Sequence, residues 1–259
     1  MLGRIIVNGL LHRIKVNVLL QINMGLYLRK DLKGGGTIAV WKITETEKEL
    51  LEIIAKDEED RSEELEEISL YKSEQARRER LSVIALVQTL FEEPIHIGHH
   101  ENGSPYIEND STRISITHTN SFSAVLIHPS EDVGIDIESI KRDFTAVEKR
   151  ALSDEEREDL MEKDEDDPEQ MEERNTQLAI YWCAKEALYK RMGRSHVDFS
   201  EDMEVDRFNV RDEGEIDITF KYPQSEHIVY QDGEETNEEE EFEMQYEVFE
   251  DHVMVWMIG

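Results

Sequence analysis

Residues 133–138 read Val-Gly-Ile-Asp-Ile-Glu, a short apolar run that contains two acids. The β-branched residues of this run favour a strand. Side chains two residues apart project from the same face of a strand, so Asp136 and Glu138 point one way while Ile135 and Ile137 point the other. Such a pair is suited to a divalent metal ion, and it equally fits an edge strand whose two acids are solvated.

A second stretch lies about 50 residues later, within a helix predicted from about Thr176 to Met192. Residues 181–190 read Tyr-Trp-Cys-Ala-Lys-Glu-Ala-Leu-Tyr-Lys. Glu186 and Lys190 are four residues apart and share a helix face, with Trp182 one turn earlier on the same side. Taken alone, this stretch indicates an ordinary ion pair beside a packed tryptophan.

Periodicity, capping and turn signals divide the rest of the chain into an α+β order. Strands are predicted at 37–43, 106–108, 114–117, 121–127, 208–210, 216–222, 227–230, 242–249 and 252–258, and helices from Thr44 or Thr46 to about Ala55 and at 73–91, 146–152 and 153–162. The acidic segments 58–67, 163–174 and 234–241 are interpreted as a solvated helix face, a connection and a loop. The shared order of elements predicts two similar α+β lobes, residues 24–130 and 131–259, related by pseudo-symmetry.

The chain is strongly acidic, with 61 Asp and Glu against 29 Lys and Arg and a formal charge of −32 over 259 residues. This charge argues against nucleic-acid binding, which needs a net attraction to phosphates. Any anionic ligand therefore requires a local basic patch. The single cysteine, Cys183, excludes an internal disulfide framework and cysteine-rich zinc sites, and predicts a reducing, cytoplasmic environment.

The first 23 residues, Met1 to Asn23, are apolar and basic. Arg4, Arg13 and Lys15 interrupt the apolar run, so no membrane-spanning helix is expected, and no signal-peptide cleavage site follows. We interpret the segment as an upstream extension, with the natural chain beginning at Met24. The alternative is an amphipathic targeting or membrane-surface segment.

Together, the two stretches resemble the signature motifs of the 4′-phosphopantetheinyl transferase superfamily, G-[IV]-D-x-E followed by W-x-x-K-E-[AS]-x-x-K. The resemblance extends to Gly-Ser-Pro-Tyr at 103–106 and Ile-Ser-Ile-Thr-His-Thr at 114–119, and covers roughly residues 24–258. The length is similar to the monomeric, surfactin-synthetase-activating type. The resemblance implies a pseudo-dimer of two α+β lobes with coenzyme A in the cleft, and transfer of its phosphopantetheine arm to a serine of an acyl or peptidyl carrier protein.

The reaction explains the acids of both motifs. Attack of a serine on the pyrophosphate of coenzyme A accumulates negative charge, which a hard cation such as Mg²⁺ stabilises through oxygen ligands. By the resemblance, Asp136, Glu138 and Glu186 are the metal ligands, and either Glu186 or Glu138 takes the serine proton. Lys190 would neutralise a pyrophosphate oxygen, and Lys185 is a second expected phosphate contact.

The resemblance also implies an anion site for the 3′-phosphate of coenzyme A, because Thr117 and His118 match the family's Ser-His pair. A lone turn histidine would otherwise be interpreted as a surface residue. Arg77, with Arg78 and Arg80, would complete this site or serve solubility alone. Two residues depart from the family's pattern: Ser104 replaces a lysine and Ile84 an arginine, which predicts weaker coenzyme A binding.

Carriers are usually acidic, so docking requires a local basic face. The expected residues follow the first motif: Lys141, Arg142, Lys149 and Arg150. Two other functions remain open at this point. One is a non-catalytic module that binds carrier proteins or coenzyme A, and the other is a Mg²⁺-dependent phosphoesterase that uses the same acids.

Overall fold

The structure is a computed structural model that describes residues 25–55, 61–91, 94–160, 166–194, 196–222, 228–231 and 234–259. The predicted extension, residues 1–23, lies outside these ranges. The chain divides into two compact units, Met1–His96 with His118–Val125, and Ile97–Thr117 with Leu126–Gly259. The predicted lobes 24–130 and 131–259, and their pseudo-symmetry, stay predictions. Within the described ranges, no helix is both long and apolar enough to cross a membrane.

The first unit combines a small sheet with three helices. The strands β1 (Leu26–Asp31) and β2 (Thr37–Lys42) are antiparallel, and β2 also pairs with β6 (Phe122–His128). The helices are α1 (Glu47–Ile54), α2 (Ser62–Ser69) and α3 (Glu74–Gln88). Residues 38–41 of the central strand β2 are all apolar and buried, as expected where both faces of a strand are covered.

Capping side chains determine where two of these helices begin. Thr46 and Glu49 form a capping box at α1, with the Thr46 backbone N–H donating to Glu49 Oε2 at 2.8 Å. Ser73 caps α3 by accepting from the backbone N–H of Ala76. The predicted strand at 37–43 and the helices after Thr46 and Ser73 are therefore confirmed.

The second unit is built on a five-stranded antiparallel sheet in the order β7-β13-β12-β9-β8. Its strands are β7 (Val133–Ser139), β8 (Met203–Val205), β9 (Glu213–Lys221), β12 (Glu239–Phe249) and β13 (His252–Ile258). The unit also contains β3 (Ile97–His99), β4 (Pro105–Ile107), β10 (Ile228–Gln231) and β11 (Glu234–Asn237), and most of β5 (Arg113–His118). Its helices are α4 (Thr145–Arg150), α5 (Asp154–Glu158) and α6 (Pro168–Met192).

The helix α6 packs on the sheet of the second unit and contributes seven residues to its buried core. Tyr181, Ala184 and Leu188 of α6 join Val253 and Val255 of β13 in one buried apolar cluster. Strand β7 lies at the edge of the sheet and pairs with β13 through residues 133–139. The mixed α+β class and the strand at 133–138 are confirmed.

Three predicted elements in the second half differ from the structure. Helix α6 begins at Pro168 rather than near 176, because Asp167 caps it and proline is well tolerated in a first turn. The strand predicted at 208–210 is wrong, since the short edge strand is β8 and Phe208 instead packs on Tyr181 from a segment without strand structure.

The acidic loop predicted at 234–241 is also wrong, because these residues lie in β11 and in the first part of β12. Along β12, exposed Glu241 and Glu243 alternate with buried Phe242 and Met244. The exposed Glu239, Glu240 and Glu241 thus extend the strand predicted at 242–249, and because these three residues do not alternate with apolar ones they carried no signal of period two.

Candidate active site

Asp136 lies in the middle of β7 and is buried, with 6% of its surface exposed. Its Oδ1 accepts hydrogen bonds from the Lys190 ammonium at 2.7 Å and from the Thr117 hydroxyl at 2.8 Å. The same ammonium donates to the carbonyl oxygen of Ile135 at 3.1 Å. Lys190 of α6 is therefore held against β7 by an ion pair with Asp136 and a hydrogen bond to the carbonyl oxygen of Ile135.

A glycine allows this close approach of strand and helix. A Cβ on Gly134 would lie 2.0 Å from the carbonyl oxygen of Ala187, so only glycine permits the observed packing. Gly134 and Asp136 share one face of β7, and Ala187 directly follows Glu186 in α6. The strand thus brings the first motif of the sequence against the second.

Glu186 is the third acid of the predicted metal site, and its surroundings change its pKa. Burial, the largest cause, and the nearby charge of Asp136 together raise this pKa from the usual 4.5 to about 7, against the opposing charges of Lys190 and Arg142. Within the described part of the chain, no hydrogen bond or ion pair to the Glu186 carboxylate occurs. A desolvated carboxylate without such a partner is suited to a cation or to proton transfer.

Glu138 is held differently from the other two acids. Its Oε1 accepts from the backbone N–H of Ser139 at 2.9 Å, and its Oε2 forms an ion pair with Arg142. The Arg142 guanidinium also lies 5.0 Å from the centroid of the Trp182 ring. Arg142 therefore contacts both Glu138 of β7 and Trp182 of α6.

The donor set fits a hard divalent cation. Asp136, Glu138, Lys190 and Arg142 all act electrostatically on Glu186, although burial is the largest cause of its raised pKa. In the described part of the chain, the ligand atoms of the three acids do not all lie within 4.8 Å of one another. Carboxylate oxygens are the ligands that Mg²⁺ prefers. These residues would hold the ion once Glu138 exchanges its arginine for the metal.

A different group of acids has its ligand atoms within 4.8 Å of one another in the described part of the chain. It comprises Asp206, Asp217 and Glu241. Asp206 and Glu241 are exposed, and exposed acids commonly approach one another on a solvated face. Sequence reasoning did not single out these residues, and we assign no function to them.

Lys185, the expected second phosphate contact, is completely buried. Its ammonium donates to the carbonyl oxygens of Ala151 and Phe199, each at 2.8 Å, and of Met203 at 2.9 Å, and it pairs with Glu156 at 2.6 Å. Three backbone acceptors and one carboxylate thus surround the charge. The structure places Lys185 in the packing of the second unit.

Glu156 completes this buried arrangement. From the sequence, Glu156 is expected only to form a capping box with Ser153 at the start of the helix predicted at 153–162. Its side chain accepts from the backbone N–H of Ser153 in the predicted capping box and from that of Val205, each at 2.8 Å. Burial lowers the pKa of Lys185, and Glu156 opposes that change. The capping box is confirmed, and the same carboxylate also fixes α6 and β8.

The residues expected at the 3′-phosphate fall into both units. Thr117 is buried and bonded to Asp136 in the second unit. His118, the last residue of β5 rather than a turn residue, belongs to the first unit, with its Nδ1 3.4 Å from Glu79 Oε2. Arg77, in the same unit, pairs with Glu47 at 2.8 Å and donates to the carbonyl oxygen of Tyr71.

Residues 132–253 match the model of the 4′-phosphopantetheinyl transferase superfamily. The matched segment contains β7, α6 and therefore both sequence motifs. A search of the curated proteins finds no match to the chain. The family match thus rests on the part of the chain that holds Asp136, Glu138, Glu186 and Lys190.

Proposed function

We propose that the chain is a member of the 4′-phosphopantetheinyl transferase superfamily, whose model matches residues 132–253, and that it transfers the phosphopantetheine arm of coenzyme A to a serine of an apo carrier protein. The reaction would depend on Mg²⁺. One observation carries the proposal: Asp136, Glu186 and Lys190, from two separate motifs, meet where β7 packs on α6. An acyl or peptidyl carrier is the proposed partner, and a cytoplasmic monomer the proposed state.

The proposed step exchanges one phosphorus–oxygen bond for another. The serine oxygen bonds to the phosphorus that carries the pantetheine arm, and the bond from this phosphorus to the bridging oxygen breaks. Adenosine 3′,5′-bisphosphate leaves with the electron pair of the broken bond. Mg²⁺, when bound by Asp136, Glu138 and Glu186, would supply charge stabilisation at the pyrophosphate oxygens.

The chain's own residues would then position substrate and move one proton. Lys190 would donate to a pyrophosphate oxygen, for which its partly exposed ammonium is placed beside Asp136. Glu186 is the better of the two expected bases, because its carboxylate has no hydrogen-bond or ion-pair partner in the described part of the chain. Glu138 is less suited to this role, since Arg142 and the Ser139 N–H already hold its two oxygens.

Coenzyme A also carries a 3′-phosphate. We propose His118 for this phosphate, oriented by the carboxylate of Glu79, and Arg77 as a second cation. Arg77 would have to exchange its pair with Glu47 for the phosphate. Together with Ser104 and Ile84, where the family carries cations, this exchange supports the expectation of weaker coenzyme A binding.

The proposed docking face for the carrier protein is formed by residues that come after β7 in the sequence. Lys141, Arg142, Lys149 and Arg150 are all exposed, although Lys141 pairs with Asp251 at 2.5 Å. These four cations are a local exception to the overall charge of −32. An acidic carrier helix would be attracted here and repelled by most of the remaining surface.

The test is a transfer assay with the whole chain. The protein is incubated with coenzyme A, Mg²⁺ and several apo carriers, and mass spectrometry measures the gain of the phosphopantetheine arm. We expect modified carrier and stoichiometric adenosine 3′,5′-bisphosphate. Carrier binding without any gain of mass would indicate a non-catalytic binding module, and release of the bisphosphate without carrier would indicate a phosphoesterase.

The substitution Asp136→Ala should abolish transfer, because it removes a metal ligand and the partner of Lys190. The matched control is Asp217→Ala, which removes an aspartate from the acidic cluster on β9. Transfer by the control should equal that of the wild type. An active Asp136→Ala protein would refute the proposed metal site.

A further inference from the structure

Strand β7 is an edge strand of its sheet, with β13 as its only neighbour in that sheet. On the opposite edge, side chains accept hydrogen bonds from its backbone N–H groups. An edge strand presents N–H groups that need acceptors. The N–H of Ile135 donates to the hydroxyl oxygen of Ser115 at 3.1 Å, and that of Ile137 to the hydroxyl oxygen of Thr117 at 3.4 Å. Two hydroxyls of β5, two residues apart, thus act as the acceptors.

The two hydroxyls differ in what else they bind. Thr117 donates its hydroxyl proton to Asp136 Oδ1 at 2.8 Å, whereas Ser115 makes no described contact with a site acid. A hydroxyl has one proton to donate, so this contact commits the donor capacity of Thr117. Thr117 is 5% exposed, and its β-branched side chain has few rotamers.

We propose that Thr117 is a positioning residue for the metal ligand Asp136, an inference that rests on the proposed function. The Asp136 oxygen is held by two donors, Thr117 and Lys190. Lys190 also donates to the carbonyl oxygen of Ile135 and, in the proposed reaction, to the pyrophosphate, whereas the single hydroxyl hydrogen of Thr117 is donated to Asp136 alone. The threonine therefore sets the orientation in which Asp136 meets the cation.

This role differs from the one that the family resemblance implies, which is a contact with the 3′-phosphate of coenzyme A. The Thr117 hydroxyl is buried in the second unit and donates its hydrogen bond to the carboxylate of Asp136. A phosphate contact would require the hydroxyl to abandon Asp136. The two roles predict different kinetic effects of one substitution.

The experiment compares Thr117→Val, Thr117→Ser and Ser115→Ala in the full chain. Valine keeps the shape of threonine without the hydroxyl, and serine restores it. Ser115→Ala is the matched control, because it removes the other edge hydroxyl of β7 without touching Asp136. Affinity for Mg²⁺ alone is measured by isothermal titration calorimetry, and KM for coenzyme A by the transfer assay.

We expect Thr117→Val to weaken Mg²⁺ binding by about tenfold, since hydrogen bonds to charged groups are among the stronger ones. Thr117→Ser should regain most of this affinity, and Ser115→Ala should keep that of the wild type. KM for coenzyme A should stay unchanged in all three variants at saturating Mg²⁺.

Wild-type metal affinity in Thr117→Val would overturn the inference, as would an equal loss in Ser115→Ala. A raised KM for coenzyme A with unchanged Mg²⁺ affinity would overturn it in favour of the phosphate contact. If the wild type itself binds no Mg²⁺ and transfers no arm, the proposed function fails together with the inference. If the wild type binds Mg²⁺ and transfers the arm, a negative result concerns Thr117 alone.

Discussion

Two lysines of helix α6, five residues apart in the same motif, have opposite environments. Lys185 is completely buried, and its ammonium is surrounded by three backbone carbonyls and Glu156. Lys190 keeps 27% of its side chain exposed and holds Asp136 and one carbonyl of β7. The ammonium of Lys185 thus donates to groups in the protein interior, whereas Lys190 is partly exposed to solvent beside Asp136.

The comparison shows that a residue of the sequence motif can serve the packing of the fold rather than the proposed site. Both lysines are cations near the proposed site, and the sequence alone suggested phosphate contacts for both. Moving the Lys185 ammonium would take a buried donor from three carbonyl oxygens and the cation from the buried Glu156 carboxylate, which is costly. Lys190 can move toward a ligand at lower cost, so the two lysines should respond differently to the same substitution.

The largest effect is expected for Lys185→Met, which should lower the free energy of unfolding by about 3 to 5 kcal/mol. The substitution leaves the buried carboxylate of Glu156 without its cation and removes the donor of three carbonyls. Chemical denaturation monitored by circular dichroism measures the change.

A double variant, Lys185→Met with Glu156→Gln, provides the control for this prediction. It should recover part of the lost stability, because no unpaired charge is left in the core. A stable Lys185→Met protein with a raised KM for coenzyme A would instead return Lys185 to the phosphate role.

The next effect is expected for Lys190→Met, which should reduce transfer by about 100- to 1,000-fold, as the loss of one electrostatic donor to a reacting oxygen does elsewhere. Its loss of stability should be smaller than that of Lys185→Met, because Lys190 is partly exposed. Mg²⁺ affinity should not fall, since the substitution removes a positive charge beside Asp136. Weaker Mg²⁺ binding in this variant would contradict the assignment of Lys190 to the phosphate.

Much of the fold was predictable because local signals and burial agree. The run at 133–138 forms the expected strand, and the capping residues Thr46, Ser73 and Ser153 begin the expected helices. Residues 239–241 at the start of β12 were missed because they are consecutive glutamates, and they belong to the strand through their pairing with residues 219–221 of β9. Pairing partners distant in sequence leave no local signal.

The same division holds for the candidate site. Residue types and spacing selected Asp136, Glu138, Glu186 and Lys190 only through the resemblance of the two motifs to the superfamily signatures. They were insufficient to show that Thr117 bonds to Asp136 or that Glu156 neutralises Lys185, because both contacts join elements far apart in the chain. The hydroxyls of Ser115 and Thr117, two residues apart on one strand face, were the available signal for the first contact.

Glu186 lies next to Lys185 in the chain and provides the smallest and most specific test of the comparison. Unlike Lys185, it is desolvated without a hydrogen-bonding partner in the described structure, so its pKa rises to about 7. The metal-free folded state therefore binds a proton that the unfolded state releases near pH 4.5. Stability of the metal-free protein should fall as the pH rises through this window, the opposite of an ion-paired carboxylate.

A cation competes with that same proton, so Mg²⁺ affinity should fall by about tenfold between pH 8 and pH 6, where Glu186 becomes mostly protonated. Calorimetric titrations at several pH values measure this slope. The matched variant is Glu186→Gln, which cannot titrate: its residual Mg²⁺ affinity should be nearly independent of pH in this range. Its metal-free stability should exceed that of the wild type most clearly above pH 7, because glutamine removes a desolvated charge. An equal pH dependence in wild type and Glu186→Gln would show that another group titrates, and would separate Glu186 from the metal site.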